Sequence, residues 1–305
     1  MTATIDQPHR CGFVSIIGRT NVGKSTLLNH LIGEKVAIVT PVSQTTRHRI
    51  LGVKNLPGGQ IAYLDTPGFH KAKFRMNRDM VQVASDALRE ADVVLCMIDA
   101  STGLGPGDRF VFTRLKEIRV PIVLALNKID QVPRPHLLPL IDKVRFEGSF
   151  QEIVPISAAK GTQCSELENT LLRLLPEGPP LYPEEYLTDQ PERLLAAEMI
   201  REQVLLQTRQ EVPHAVSVVV ERYSVLRDKS LRIEATIYVE RESQRAIVVG
   251  KNGQKLKEIG SRARKEIGLR FECPASVFLW VKVHPNWRQD VTAMERWRRS
   301  GMASG

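Results

Sequence analysis

The sequence predicts an α/β domain, a mostly parallel sheet with helices on both faces, followed by a smaller α+β module. Three observations lead there. Apolar runs of strand length at residues 13–17, 61–64, 122–126 and 153–156 each close on a short polar motif, and the C-terminal edges of strands are where open α/β sheets bind ligands. The first run passes through a glycine-bearing loop straight into an amphipathic stretch. Beyond a Pro- and acid-rich segment, two alternating strands precede a Gly-x-x-Gly flanked by helical patterns.

The first loop, Gly18-Arg19-Thr20-Asn21-Val22-Gly23-Lys24-Ser25, matches Gly-x-x-x-x-Gly-Lys-Ser, and Thr26 opens the helical stretch 26–32. Strand, loop and helix in that order make a phosphate cradle: the glycines let backbone N–H groups turn inward, and the helix N-terminus adds its positive dipole end. Lys24 then reaches the β- and γ-phosphates, and the Ser25 hydroxyl ligates magnesium.

Three later motifs choose the nucleotide. Asp65-Thr66-Pro67-Gly68 places a carboxylate at a strand edge, where Asp65 holds magnesium through water and the Gly68 N–H meets the γ-phosphate. Asn127-Lys128-Ile129-Asp130 closes the next run. Guanine displays its N1–H and N2–H₂ donors side by side, and one carboxylate, Asp130, accepts both. Adenine lacks the N2 donor, so a buried carboxylate would go unpaired, a loss on the order of 10⁴-fold in discrimination. The nucleotide is therefore read as GTP, exchanged with GDP. Lys128 lies over the base plane, Asn127 bonds the base edge and the loop backbone, and Ser157-Ala158-Ala159, before Lys160, offers backbone N–H to guanine O6. Any one such motif alone is most often just a turn after a strand; four in this order are not.

Between the cradle and Asp65 lies Thr40-Pro41-Val42-Ser43-Gln44-Thr45-Thr46-Arg47-His48-Arg49, polar and without apolar periodicity, as a switch loop should be. A threonine there, Thr46 ahead of Thr45, completes the magnesium shell only while the γ-phosphate holds the loop. Lys24, Thr46 and Gly68 are thus the candidate catalytic residues. Phe69 follows Gly68, where Ras-like GTPases carry a water-orienting Gln, so a low intrinsic rate is expected. Asn21 either supplies an oxygen to a potassium ion beside the β- and γ-phosphates or merely braces the loop.

A chain of 305 residues exceeds the usual size of one core. Its net charge of +9 is uneven: from Arg245 onward thirteen Lys and Arg stand against five Asp and Glu, a balance of +8, whereas residues 181–244 carry eight against twelve, −4. That basic excess suits RNA or an anionic membrane surface. Cys11, Cys96, Cys164 and Cys273 have no metal-ligand or disulfide spacing. Without a signal-peptide pattern or an apolar run of transmembrane length, a cytoplasmic protein is expected.

Residues 174–185 combine prolines with acids and read as a linker. Pro191 then suits the first turn of a helix, and residues 215–221 and 231–239 alternate as two strands joined around Asp228. Gly250-Lys251-Asn252-Gly253 lies between a short apolar helix and a basic one bearing Lys255 and Lys257, and a strand at 276–283 completes a three-stranded sheet. These are the parts of a KH module, whose glycine turn presses its backbone against nucleic-acid phosphates. The tail at 287–299, two tryptophans among arginines, reads as a basic helix packed through its rings.

Taken together, these residues resemble one family, the Era GTPases of bacteria and organelles. The likeness spans nearly the whole chain and rests on 18–25, Gln44 to Arg49, 65–68, 127–130, 157–160, 188–193, 197–202 and 250–253. It implies a P-loop GTPase domain at 8–178, a linker at 179–192 and a type II KH domain at 193–305. It also implies binding to small-subunit ribosomal RNA near its 3′ end and help in assembling the 30S subunit from its precursor, with nucleotide state controlling RNA affinity. A monomer is expected, with a peripheral fraction at the inner membrane. Thr20 stands where Pro is usual, and Asn252 where Gly is; the second bears on RNA affinity, though Asn tolerates positive φ. Two rival readings are a membrane-tethered signalling GTPase with a protein partner and an RNA chaperone with a vestigial nucleotide site. The second is disfavoured because Lys24, Ser25, Asp65 and Asp130 are all present.

Overall fold

The computed structural model describes residues 9–43, 45–68, 75–209 and 212–302. They form two compact units. One holds the chain up to Ala37 and most of the run from Thr46 to Asp189; the other holds Ile38–Thr45 and the chain from Gln190 on.

The first unit runs β1 (Arg10–Gly18), α1 (Lys24–Ile32), β2 (Ile50–Leu56), β3 (Gly59–Asp65), α2 (Arg75–Glu90), β4 (Val93–Asp99), α3 (Pro106–Leu115), β5 (Ile122–Asn127), α4 (Arg134–Arg145), β6 (Glu152–Pro155) and α5 (Cys164–Leu174). The sheet order is β2-β3-β1-β4-β5-β6, with every pair parallel except β2 against β3. Its strands are near-continuous apolar runs because both faces are covered. Val93, Leu95 and Met97 of β4 join the core under α1 and α5, whereas Val94, Cys96 and Ile98 join the core under α2, α3 and α4. Connections leave β1 in opposite directions across the sheet, the arrangement that opens a crevice at the carboxyl ends of the strands.

The Pro-rich segment after α5 takes neither helix nor strand, and its backbone is satisfied by the first unit instead. Gln60, 1% exposed, accepts the Leu181 and Tyr182 N–H groups at 2.9 Å each and donates to the Tyr182 carbonyl at 2.9 Å. Tyr182 stacks on Tyr186 and meets Phe13 edge-on.

The second unit runs α6 (Glu192–Gln207), β7 (Ser217–Val225), β8 (Leu231–Val239), α7 (Glu242–Val249), α8 (Gln254–Arg270), β9 (Ala275–Val283) and α9 (Val291–Met302). β7 pairs antiparallel with β8, and β8 parallel with β9. Leu195, Ile200, Ile233 and Ile267 centre one core and Val204, Ile237, Val248 and Ile259 the next. Arg201 of α6 is 1% exposed, pairs with Glu198 and donates to the Thr45 carbonyl. Glu202 accepts the Val39 N–H at 2.8 Å, so α6 holds both ends of the short Ile38–Thr45 piece. Cys11, Cys96 and Cys164 are buried and Cys273, in the turn before β9, is half-buried. Burial pushes the thiols of the first three up, that of Cys164 to about 11. Among the described residues no helix is long and apolar enough to cross a membrane.

Candidate functional site

At the end of β1 the chain turns through residues 18–23 and enters α1 at Lys24. Gly23 has φ 101, and a Cβ there would fall 2.3 Å from Asn127 Nδ2, so the loop closes only on glycine. Asn21, exposed, also takes positive φ, 63. The opening N–H groups of α1 have no intrahelical acceptor and face an anion by default. Lys24, 7% exposed, donates to the carbonyls of Gly18 (3.3 Å) and Arg19 (3.0 Å). Burial pulls its ammonium down to about 8, with Asp65 acting the other way. Thr26 is half-buried on the first turn of α1.

Three oxygens converge beside it. Ser25 Oγ donates to Asp65 Oδ2 at 2.7 Å and lies 2.9 Å from Thr46 Oγ1. Thr45 instead bonds within its own segment, to the Val42 carbonyl and Thr40. Burial raises the Asp65 carboxyl above its ordinary range, opposed by Lys24, Ser25 and Thr46. Its second oxygen, Oδ1, is buried with no hydrogen-bond partner. An orphaned carboxylate oxygen beside two hydroxyls is an all-oxygen donor set that fits magnesium. Thr66 Oγ1 anchors the strand end to the Ile16 carbonyl at 3.0 Å, Pro67 is buried, and Gly68 lies against Thr20, where a Cβ would come within 3.0 Å of its backbone nitrogen. Phe69 lies outside the described residues, as does Gln44.

The base-reading motifs assemble at the ends of β5 and β6. Asn127, 2% exposed, donates to the Val22 carbonyl at 2.7 Å and accepts the Ala158 N–H at 2.9 Å, tying the cradle to the 157–160 loop. Ile129 is bound through its N–H to the Ile156 carbonyl. Asp130 accepts a 2.6 Å bond from Ser157 Oγ. Asp130, expected from the sequence to be a buried carboxylate, is instead exposed, so the base itself must cover it. Ala159 and Lys160 are exposed beside it, Ala158 buried.

Two acids escape the motif reading. Asp99, at the end of β4, accepts the Lys128 ammonium at 2.7 Å, which also reaches the Asn21 carbonyl at 2.9 Å. Burial acts to raise the Asp99 carboxyl, but the bonds from Lys128 and Ser101 outweigh it and hold the group below its ordinary range. Asp108, 1% exposed, pairs with Arg19 at 3.1 Å and accepts the Gly105 N–H that opens α3. The only sequence signal for either is an Asp closing an apolar run, in the case of Asp99, and an Asp two residues after a helix-opening Pro, in the case of Asp108.

In the second unit, α7 ends on Gly250 at φ 72, where a Cβ would meet Lys255 Cβ at 2.6 Å. Lys251–Gly253 forms one 3-10 turn, with Asn252 at φ 50 and Gly253 at φ 75, and α8 starts at once. Lys251, Asn252 and Lys257 are exposed and Lys255 half-buried. Ile247 of α7 is exposed beside the turn.

A phosphate cradle, a hydroxyl–carboxylate metal set and a guanine-reading pair on a doubly wound sheet define a P-loop GTPase, here continued by a KH module. A family model described as "50S ribosome-binding GTPase" matches residues 13–128, and one described as "KH domain" matches residues 211–288. GTPase Era of Staphylococcus haemolyticus is 45% identical over 283 residues, 93% of this chain and 95% of that protein. A solved Era in complex with MgGDPNP and nucleotides 1506–1542 of 16S ribosomal RNA matches with a TM-score of 0.91 and 45% identity, covering 95% of this chain and 98% of that one. An Aquifex aeolicus Era variant bound to GDP and AlF4− matches equally, at 0.91 and 45%, covering 94% and 98%. The chain belongs to the Era GTPase family.

Proposed function

We propose that this chain is a GTP-hydrolysing switch that binds small-subunit ribosomal RNA near its 3′ end and assists assembly of the 30S subunit, its RNA affinity set by the bound nucleotide. The observation that carries the reading is the meeting of Ser25, Thr46 and Asp65 around one orphaned oxygen, in a chain that also carries the Gly250–Gly253 turn. A relative of 45% identity solved with MgGDPNP and a 16S fragment supports both halves.

In this reading the α1 N-terminus and the loop N–H groups hold the phosphates, and Lys24 leaves its carbonyl partners for the β- and γ-oxygens. Ser25, Thr46 and Asp65 would hold magnesium, which would supply positive charge to neutralise the phosphates. Gly68 gives its N–H to the γ-phosphate, and Asp130 takes the two guanine donors while Lys128, steadied by Asp99, covers the ring. A γ-phosphate would add a further hold on Thr46 beside Ser25, and the next residue back, Thr45, is held by Arg201 of α6. Release of Thr46 after hydrolysis therefore pulls on a segment that α6 grips, which gives nucleotide state a covalent route to RNA affinity. The absence of a Gln after Gly68 supports a low intrinsic rate, and Asn21 is the candidate potassium ligand, tested by exchanging potassium for sodium and reading hydrolysis.

The protein is proposed to act as a monomer in the cytoplasm, with a peripheral membrane contact supported by the +8 excess after Arg245. GTP hydrolysis measured with and without an oligonucleotide of the 16S 3′ end tests the central reading. Acceleration by the RNA, abolished in Lys251→Glu, is the expected result; RNA affinity indifferent both to nucleotide and to Lys251→Glu would refute it.

A further inference from the structure

The three-stranded sheet of the second unit has one face packed under helices and another in solvent. Along β9 the side chains of Val277, Leu279 and Val281 enter the cores, so Ser276, Phe278, Trp280 and Lys282 point the other way and are exposed. Phe278 is 42% exposed and Trp280 47%. Two large rings left open at i and i+2 on a sheet are an unusual expense of apolar surface. Their spacing, two strand residues or about 7 Å, gives each ring room for one base of an unstacked strand.

The charge around them is positive. Arg232 of β8 sits over the Phe278 ring at 4.9 Å. Arg232 and Arg222 of β7 share a single carboxylate, Glu234, at 3.0 and 3.8 Å, and Lys282 makes no ion pair among the described residues. At the far end of the same face Tyr238 is closed off by Trp297, stacked at 4.4 Å, so the open platform is the Phe278–Trp280 end. A surplus of cations disfavours a second copy of this chain, whose like charge would repel. Flat rings with flanking guanidinium and ammonium groups are what single-stranded nucleic acid takes: bases stack and phosphates pair.

We propose that the outer face of β8 and β9, through Phe278 and Trp280 with Arg232 and Lys282, is a stacking platform for single-stranded RNA. It takes the nucleotides that run on from the Gly250–Gly253 turn around the edge strand β9, whose inner face carries the turn's flanking helices α7 and α8. The proposal rests on the RNA-binding reading above and adds a second contact to it.

Binding of the full chain to two RNAs from the 16S 3′ end, one of about four nucleotides and one of about twelve, separates the two. Trp280→Ser and Phe278→Ser are each expected to weaken the longer RNA about tenfold and leave the shorter RNA and GTP binding unchanged. Trp280→Phe and Phe278→Tyr keep a ring and should bind as the parent does. Lys251→Glu weakens both RNAs if the turn reading holds; if it weakens neither, that reading fails whatever the platform does. Equal affinity of Trp280→Ser and the parent for the longer RNA overturns the platform. So does a loss of self-association, or of binding to an acidic peptide, in place of a loss of RNA.

Discussion

Lys24 and Asp65 are opposite charges buried together, each pushed toward its neutral form by burial and held back by the other. A phosphate adds the charge that the pocket lacks. The ammonium pKa rises from about 8 in the free chain to a higher value in the complex, so its share of the affinity is complete below about 8 and fades as pH climbs toward the bound-state value. Calorimetry of GTP binding in buffers of different ionisation enthalpy should show little proton uptake at about pH 7 and most of one proton near pH 9; equal uptake at both would deny Lys24 that role. Asp130→Asn exchanges one of two acceptors for a donor, which matches xanthine, whose O2 replaces the guanine amino group. GTP affinity should fall on the order of 10⁴-fold while XTP gains, and a competition assay reads both. The motif residues were legible because each couples a local backbone requirement to a ligand chemistry, as Gly23 and Lys24 do. Asp99 and Asp108 were not, since what defines them is a partner 29 or 89 residues away.

Among the elements, the start of α3 is tied to the phosphate cradle by one buried carboxylate. Arg19→Met would leave Asp108 charged, buried and without its cation, which costs about 3 kcal/mol, and adding Asp108→Asn should restore at least half by removing the charge. Urea unfolding of the two variants decides it; additive losses would mean the pair is not coupled. Gly250→Ala asks an alanine to hold φ 72 against Lys255, and loss of RNA binding with GTP binding intact is expected. Strands and helices with clean apolar periods were readable, to within a residue for the β5 and β8 boundaries. β7 was harder. It begins at Ser217 and continues to Val225 through a register shift between Val220 and Arg222, and a bulge reverses the alternation that marks a strand. α6 was readable from Pro191 at its start, and it proves to be buried from Leu195 to Leu205 on almost every side.

For the molecule as a whole, two units with separate cores predict two calorimetric transitions. GTP at 100 times its Kd should stabilise the unit that carries the cradle by about 2.7 kcal/mol and raise that transition alone; a single transition moving as one would show that the units unfold together. The presence of two modules was legible from the charge imbalance and the Pro-rich stretch. That Ile38–Thr45 belongs with the second unit was not, because it depends on Arg201 and Glu202 lying more than 150 residues away.

The distribution of sulfur has a practical side. With Cys11, Cys96 and Cys164 walled in and kept protonated by burial, a maleimide fluorophore added to the native chain has one favoured anchor, Cys273, in the turn that leads into β9. The unaltered protein thus arrives with a labelling handle on the turn that leads into the proposed RNA-binding strand, while the nucleotide cleft stays free of dye.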